Sequence, residues 1–130
     1  MPDPIITNVD VGSVEWQNVK INDDIYTAAG AETLLEGTIL ARDSVSGKLV
    51  PFVDGGVTNE NGIPKAVITY ELVSTGAGDS AVRVAVSGEV RQERLVIHGG
   101  GTITKLILDQ LRDFSIVSQN VTELNQLDNQ

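Results

Sequence analysis

The stretch from Ala81 to Arg91 constrains this chain more than any other. Val82, Val84, Val86 and Val90 fall on one side of an extended backbone, with Gly88 in their row. Ala81, Arg83, Ala85, Ser87, Glu89 and Arg91 fall on the other. Period-2 alternation carried by β-branched residues specifies a strand with one face on a core and the other nearer water. Pro64 to Leu72 repeats the pattern, with Ala66, Ile68, Tyr70 and Leu72 opposed to Lys65, Thr69 and Glu71. The turn-rich Ser74-Thr-Gly-Ala-Gly-Asp-Ser80 between them makes a hairpin of the two runs. A second hairpin is expected where Thr38–Arg42 and Lys48–Val53 flank Asp43-Ser-Val-Ser-Gly47, whose last residue suits positive φ. Pro51 lacks an N–H, which puts its strand at a sheet edge or a bulge. Asp54 to Gly62 is the longest polar loop and is expected to be mobile.

One helix is predicted from about Ile103 to Asp113, capped by Thr102. Ile103, Leu106, Ile107, Leu111 and Phe114 keep the i, i+3, i+4 spacing. Leu108 lies off that stripe and Gln110 near its centre. Either the packed face is wide, or Leu108 is a subunit contact that touches a second copy of the chain. Ser115 to Ser118 reads as a last short strand. At 130 residues there is room for one domain. The fold class is therefore mainly β (α+β): a compact barrel or sandwich of short strands with one C-terminal amphipathic helix.

Charge divides the chain further. Residues 1–32 carry six acids and one base, net −5; residues 33–118 are nearly balanced at −2; residues 119–130 hold two acids and no base. The expected organisation is an extended N-terminal arm (1–32), a β-rich core (33–118) and an acidic C-terminal tail (119–130). The net charge of −9 opposes phosphate, and five aromatics supply no stacking platform, so nucleic acid is not an expected partner. No run approaches the ~20 apolar residues of a membrane span. Met-Pro-Asp-Pro has neither the basic nor the apolar region of a secretory signal. The expectation is a chain that stays where it is made unless a larger assembly carries it out.

Catalytic patterns are thin. His98-Gly-Gly-Gly101 resembles an oxyanion turn and Gly78-Asp-Ser80 the start of a nucleophile block. A hydrolase built on Ser80 and His98 would need an orienting carboxylate and a nucleophile elbow, and no Gly-x-Ser-x-Gly is present. Absence of cysteine removes thiolate chemistry and Cys-ligated metals. Asp23-Asp24 and the Glu89/Glu93 pair lack the spacing of a calcium loop and read as surface acids. No enzyme, cofactor or metal site is expected. What remains is the N-terminal third, where Ile5, Ile6, Val9, Val11, Val14, Trp16, Val19 and Ile21 are set among Asn, Asp and Gln. This segment either folds back on its own core or docks on a partner, where alternating apolar positions would suit addition to a sheet edge.

Four pieces, in order, resemble a known family: Gly37-Thr-Ile-Leu-Ala-Arg-Asp-Ser-Val-Ser-Gly-Lys-Leu-Val-Pro-Phe52, Pro64-Lys-Ala-Val-Ile68, Ala81-Val-Arg-Val-Ala-Val-Ser-Gly-Glu-Val90, and Ile103 to Val117. Over Leu34 to Val117 they are similar to the lambda-type head decoration (capsid cement) proteins of tailed bacteriophages. Such proteins often carry glycine where this chain has Ser115. The resemblance implies a β-clip type fold and a homotrimer at local threefold positions on the outer surface of an expanded head. It implies binding to the major capsid protein through the N-terminal arm, reinforcement against DNA pressure, and synthesis in the host cytoplasm. The eight apolar residues from Ile5 to Ile21 are then the capsid-contact candidates. A β-rich binding module with another partner, in a virion or on a cell surface, is the alternative.

Overall fold

The computed structural model describes residues 13–120. Its strands are β1 (Glu15–Ala28), β2 (Glu32–Leu34), β3 (Ile39–Arg42), β4 (Leu49–Pro51), β5 (Pro64–Ile68), β6 (Leu72–Ser74), β7 (Gly78–Arg91) and β8 (Ile116–Gln119). A 3₁₀ turn (Gln92–Arg94) follows β7, and helix α1 (Lys105–Asp113) precedes β8. The sheet runs β1-β4-β3-β5-β7, and β7 also pairs with β1, so five strands close into a ring. β8 adds in parallel to the end of β7, from Gly88↔Ile116 to Arg91↔Gln119. β2 and β6 form a separate two-stranded ribbon.

The ring closes because β1 and β7, each 14 residues long, lie antiparallel from Ala28↔Gly78 to Glu15↔Val90. These two strands are longer than the short strands expected from the sequence. Their register slips between Glu15 and Ile21, where Asn18 has φ 53° and Gly88 has φ 105°. A Cβ on Gly88 would lie 2.6 Å from the Val19 Cα and overlap the Asn18 carbonyl oxygen. Only glycine permits this approach.

The prediction of one wet face fails at the centre of the sheet. Leu40, Ala66, Ile68, Val82 and Val84 join Tyr26 and Leu49 in a cluster drawn from all five ring strands, which is the barrel interior. Their neighbours Ile39, Ala41, Val67 and Ala85 are equally buried on the other face, under Ile107 and Leu111 of α1, Ile116 of β8, and Phe52. Strands covered on both faces need two sets of inward residues, and the alanines on the outer face leave room for the helix.

Both expected pairings are present, β3 with β4 at Leu40↔Pro51 and β5 with β7 at Val67↔Ala85. The second is not a simple hairpin: β5 stops at Ile68, Tyr70 is exposed instead of on the core face, Leu72–Ser74 leaves to pair with β2, and β7 begins at Gly78, inside the expected connection. The Asp43 carboxylate accepts N–H bonds from Val45 and Ser46, and Gly47 has φ 76°. β1 pairs with β4 only at Tyr26↔Leu49, leaving Pro51 unneeded as a donor on that side. The 54–62 loop is internally tied, with Asn61 N–H donating to Thr58 O and Val53 N–H to Asn61 O. Helix α1 starts two residues later than expected. Its cap is Thr104, whose hydroxyl accepts the Ile107 N–H at 3.3 Å, in place of Thr102. Leu106 is 68% exposed, while Leu108 packs against the outer core, reversing the expected roles of the two.

Candidate functional site

The first and last described segments meet at one pole of the barrel. β7 ends there at Arg91, with β1 beginning on one edge and β8 finishing on the other. The Arg91 N–H donates to the Val14 carbonyl at 2.8 Å, and the Val14 N–H reaches Glu36 Oε2 at 3.3 Å. The Arg91 guanidinium lies over the Trp16 ring, 4.9 Å from its centroid, and the residue is buried. Across β7, Gln119 Nε2 donates to Glu89 Oε1 at 3.1 Å. Val14 and Gln119 thus lie on either side of the end of a single strand, β7.

The capsid-contact candidates divide at this base. Ile5, Ile6, Val9 and Val11 lie outside the described residues. Val14 is fully buried in the outer core, Val19 and Ile21 pack against it, and Trp16 is half-buried beneath Arg91. From Val14 onward the N-terminal third folds back on its own core. A boundary at 32 would thus cut through the barrel, because β1 finds the long edge it requires within the chain, on β7. The subunit-contact candidate Leu108 lines a groove of about 290 Å³ with Gln92, Lys105, Asp109, Arg112, Val117 and Ser118.

The tempting catalytic residues are spent on structure. Ser80 faces Tyr26 in the β1–β7 ladder. His98 Nε2 sits 4.0 Å from Glu32 Oε1, and the other oxygen of Glu32 accepts the Tyr26 hydroxyl. No Ser80–His98 hydrogen bond exists among the described residues. Gly99, Gly100 and Gly101 all have positive φ and lead the chain into α1. Asp23 pairs with Arg83 at 3.3 Å and Asp24 with Arg42 at 2.7 Å. The Arg42 hydrogen bond holds the Asp24 carboxyl below its usual pKa, and burial beside Glu32 raises that of Tyr26. Among the described residues, no three His, Asp or Glu side chains gather as metal ligands, and no helix is long and apolar enough to cross a membrane.

The sequence reading missed the β2–β6 ribbon and the exposed Val73 on it, with exposed Leu35 just past the end of β2. Three-residue strands are too short to show a period, so no signal marked it.

A closed barrel whose first and last described segments meet at one pole, with Asp23, Asp24 and Asp79 held in ion pairs by Arg83, Arg42 and Lys48, has the build of a structural protein. Over residues 10–114 the chain matches the family of bacteriophage lambda head decoration protein D, and it belongs to that family. It is accordingly a structural component of a phage capsid, binding the head, and not an enzyme. The match begins at Asp10 and so takes in β1, upstream of the span that carries the sequence resemblance; it stops at Phe114, before β8. No curated protein matches the chain closely enough to count as a relative.

Proposed function

We propose that this chain is a cement. Three copies sit on the outer surface of the expanded head at local threefold positions, bind the major capsid protein, and hold neighbouring capsomers against the pressure of packaged DNA. Membership of the decoration family over residues 10–114 is the observation that carries this reading. The shared pole supports it, since an arm held at Val14 by the core and by Arg91 transmits load directly into β7. Residues 1–12, with Ile5, Ile6, Val9 and Val11, are the shell-contacting part, and Val14, Trp16, Val19 and Ile21 are its root. The acidic composition suits the exterior of a shell filled with phosphate. The protein is made in the host cytoplasm, where heads assemble. Three linked arms raise avidity by roughly 10²–10⁴ over one.

Deletion of residues 1–12 tests the arm. Removing residues 1–32 would also delete β1 and open the barrel, so it cannot. The shortened protein should keep its thermal unfolding transition yet lose its sedimentation with expanded heads, with apparent affinity down at least about 100-fold. Undiminished coating would show that the shell contact lies elsewhere.

A further inference from the structure

The described surface carries two unlike grooves on either side of one ridge. The first lies at the foot of the β2–β6 ribbon, has a volume of about 380 Å³, and is lined by Leu35, Glu36, Glu71, Glu93, Arg94 and Val96. Beside it the ribbon and the residue that follows β2 present Val73 and Leu35 at 61% and 52% exposure. Leu34 points inward and pairs with Leu72, so alternation turns Thr33, Leu35 and Val73 outward. None of Glu36, Glu71 and Glu93 has a basic partner within ion-pair distance among the described residues. The second groove is the one beside α1. Lys105 there has no carboxylate partner among the described residues, Arg112 shares Asp109 at 2.9 Å, and Leu108 and Val117 supply the apolar floor. One face is thus apolar with excess acid, and the other apolar with excess base.

The ridge between them is the 3₁₀ turn. Gln92 lines the α1 groove, whereas Glu93 and Arg94 line the ribbon groove. The turn is fixed in place: Leu95 N–H donates to Gln92 O, Val96 N–H donates to Gly37 O, and a Cβ on Gly37 would lie 2.9 Å from the Arg94 carbonyl carbon. A subunit of a closed threefold ring is a wedge that meets its two neighbours through different faces, and those faces converge toward the axis. Two complementary faces flanking a rigid ridge have that form. A twofold pairing of either face with itself would set acid against acid or base against base.

Resting on the trimeric reading above, we infer that the copies meet head to tail. The ribbon face of one (Leu35, Glu71) seats on the α1 groove of the next (Lys105, Leu108), with the Gln92–Arg94 turns gathered at the axis. The occupant of each groove is a second copy of this chain.

The chain has no cysteine, which makes a crosslinking test clean. Glu71→Cys and Lys105→Cys are made singly and together, then treated with a short bismaleimide both in solution and on coated heads. The doubly substituted protein should give covalent dimers and trimers on a denaturing gel, and neither single variant should. In parallel, Glu71→Lys with Glu93→Lys should raise the trimer dissociation constant roughly 10- to 100-fold, and adding Lys105→Glu with Arg112→Glu should restore it. Sedimentation of the unsubstituted protein reads the assembly separately. A trimer by mass whose double variant never crosslinks, or whose single variant does, overturns the assignment of faces and leaves the trimer standing; the α1 groove then belongs to the shell or to residues 121–130. A protein that stays monomeric in solution and on heads overturns the trimeric reading and this inference with it.

Discussion

Ser115 sits at φ 73°, one residue past the C-cap of α1, with its N–H donating to the Arg112 carbonyl at 3.0 Å. This left-handed position strongly favours glycine, because an L side chain there crowds its own backbone. Ser115→Gly should therefore raise the unfolding free energy by about 1 kcal/mol in a urea titration, without altering β8. Gly88 makes the opposite case. Its φ of 105° and the overlap a Cβ would make with Asn18 predict that Gly88→Ala destabilises by at least about 2 kcal/mol, read in the same titration. Both positions were partly legible in the sequence. The serine stood out as a departure from the family's glycine, and Gly88 as a gap in a row of valines. What Gly88 faces was not legible, because Asn18 is 70 residues away and no local pattern encodes a close crossing.

Strands as units explain why alternation gave the right elements and the wrong exposure. The β7 run reads as valine against a mixed face of alanine, serine and charge, and a mixed face suggests water. Ala85 is nevertheless fully buried, since α1 and β8 cover the sheet where it sits. Small residues in a dry contact cannot be told from small residues in solvent by periodicity. Ala85→Leu should consequently cost about 1–3 kcal/mol through overpacking, a change in thermal stability that a solvent-facing alanine would not show. Ion pairs and hydrogen bonds between strands also set the response to pH. Asp24 has its pKa lowered mainly by Arg42, so its contribution is fully present above the ordinary value of 3.8 and is lost as pH falls through the lower folded value. Tyr26 has its pKa raised by burial and by Glu32, so its contribution is present below 10.0 and declines as pH climbs beyond that. Stability measured against pH should fall at both extremes. Asp24→Asn should flatten the acid limb, and Tyr26→Phe the alkaline one.

Across the whole molecule, β7 is the member on which everything else hangs. It pairs with β1 along one edge and with β5 and then β8 along the other. The family was legible from the ordered pieces between Gly37 and Val117, which lie in the barrel, the helix and the last strand. The place of residues 15–28 was not, because the sequence shows their apolar alternation without naming the edge that satisfies it. That edge is internal, so residues 15–28 belong to the barrel, and the arm proposed for the shell shortens to residues 1–12. Arg91→Ala removes the guanidinium from the Trp16 ring and should weaken head binding together with fold stability. Ile5→Asp with Val9→Asp should weaken binding alone, as sedimentation with heads beside thermal unfolding would show.

Closing the barrel through its first strand and one of its last sets the order of events on a ribosome. β1 is synthesised early, yet its mate is not finished until some sixty residues later, roughly 3 to 12 s at about 5–20 residues per second. For that interval the β1 segment lacks the strand that pairs along its length in the finished fold. Lys20, Asp23 and Asp24 set charge along that segment, and charge along an unpaired strand disfavours pairing with the edge of another copy.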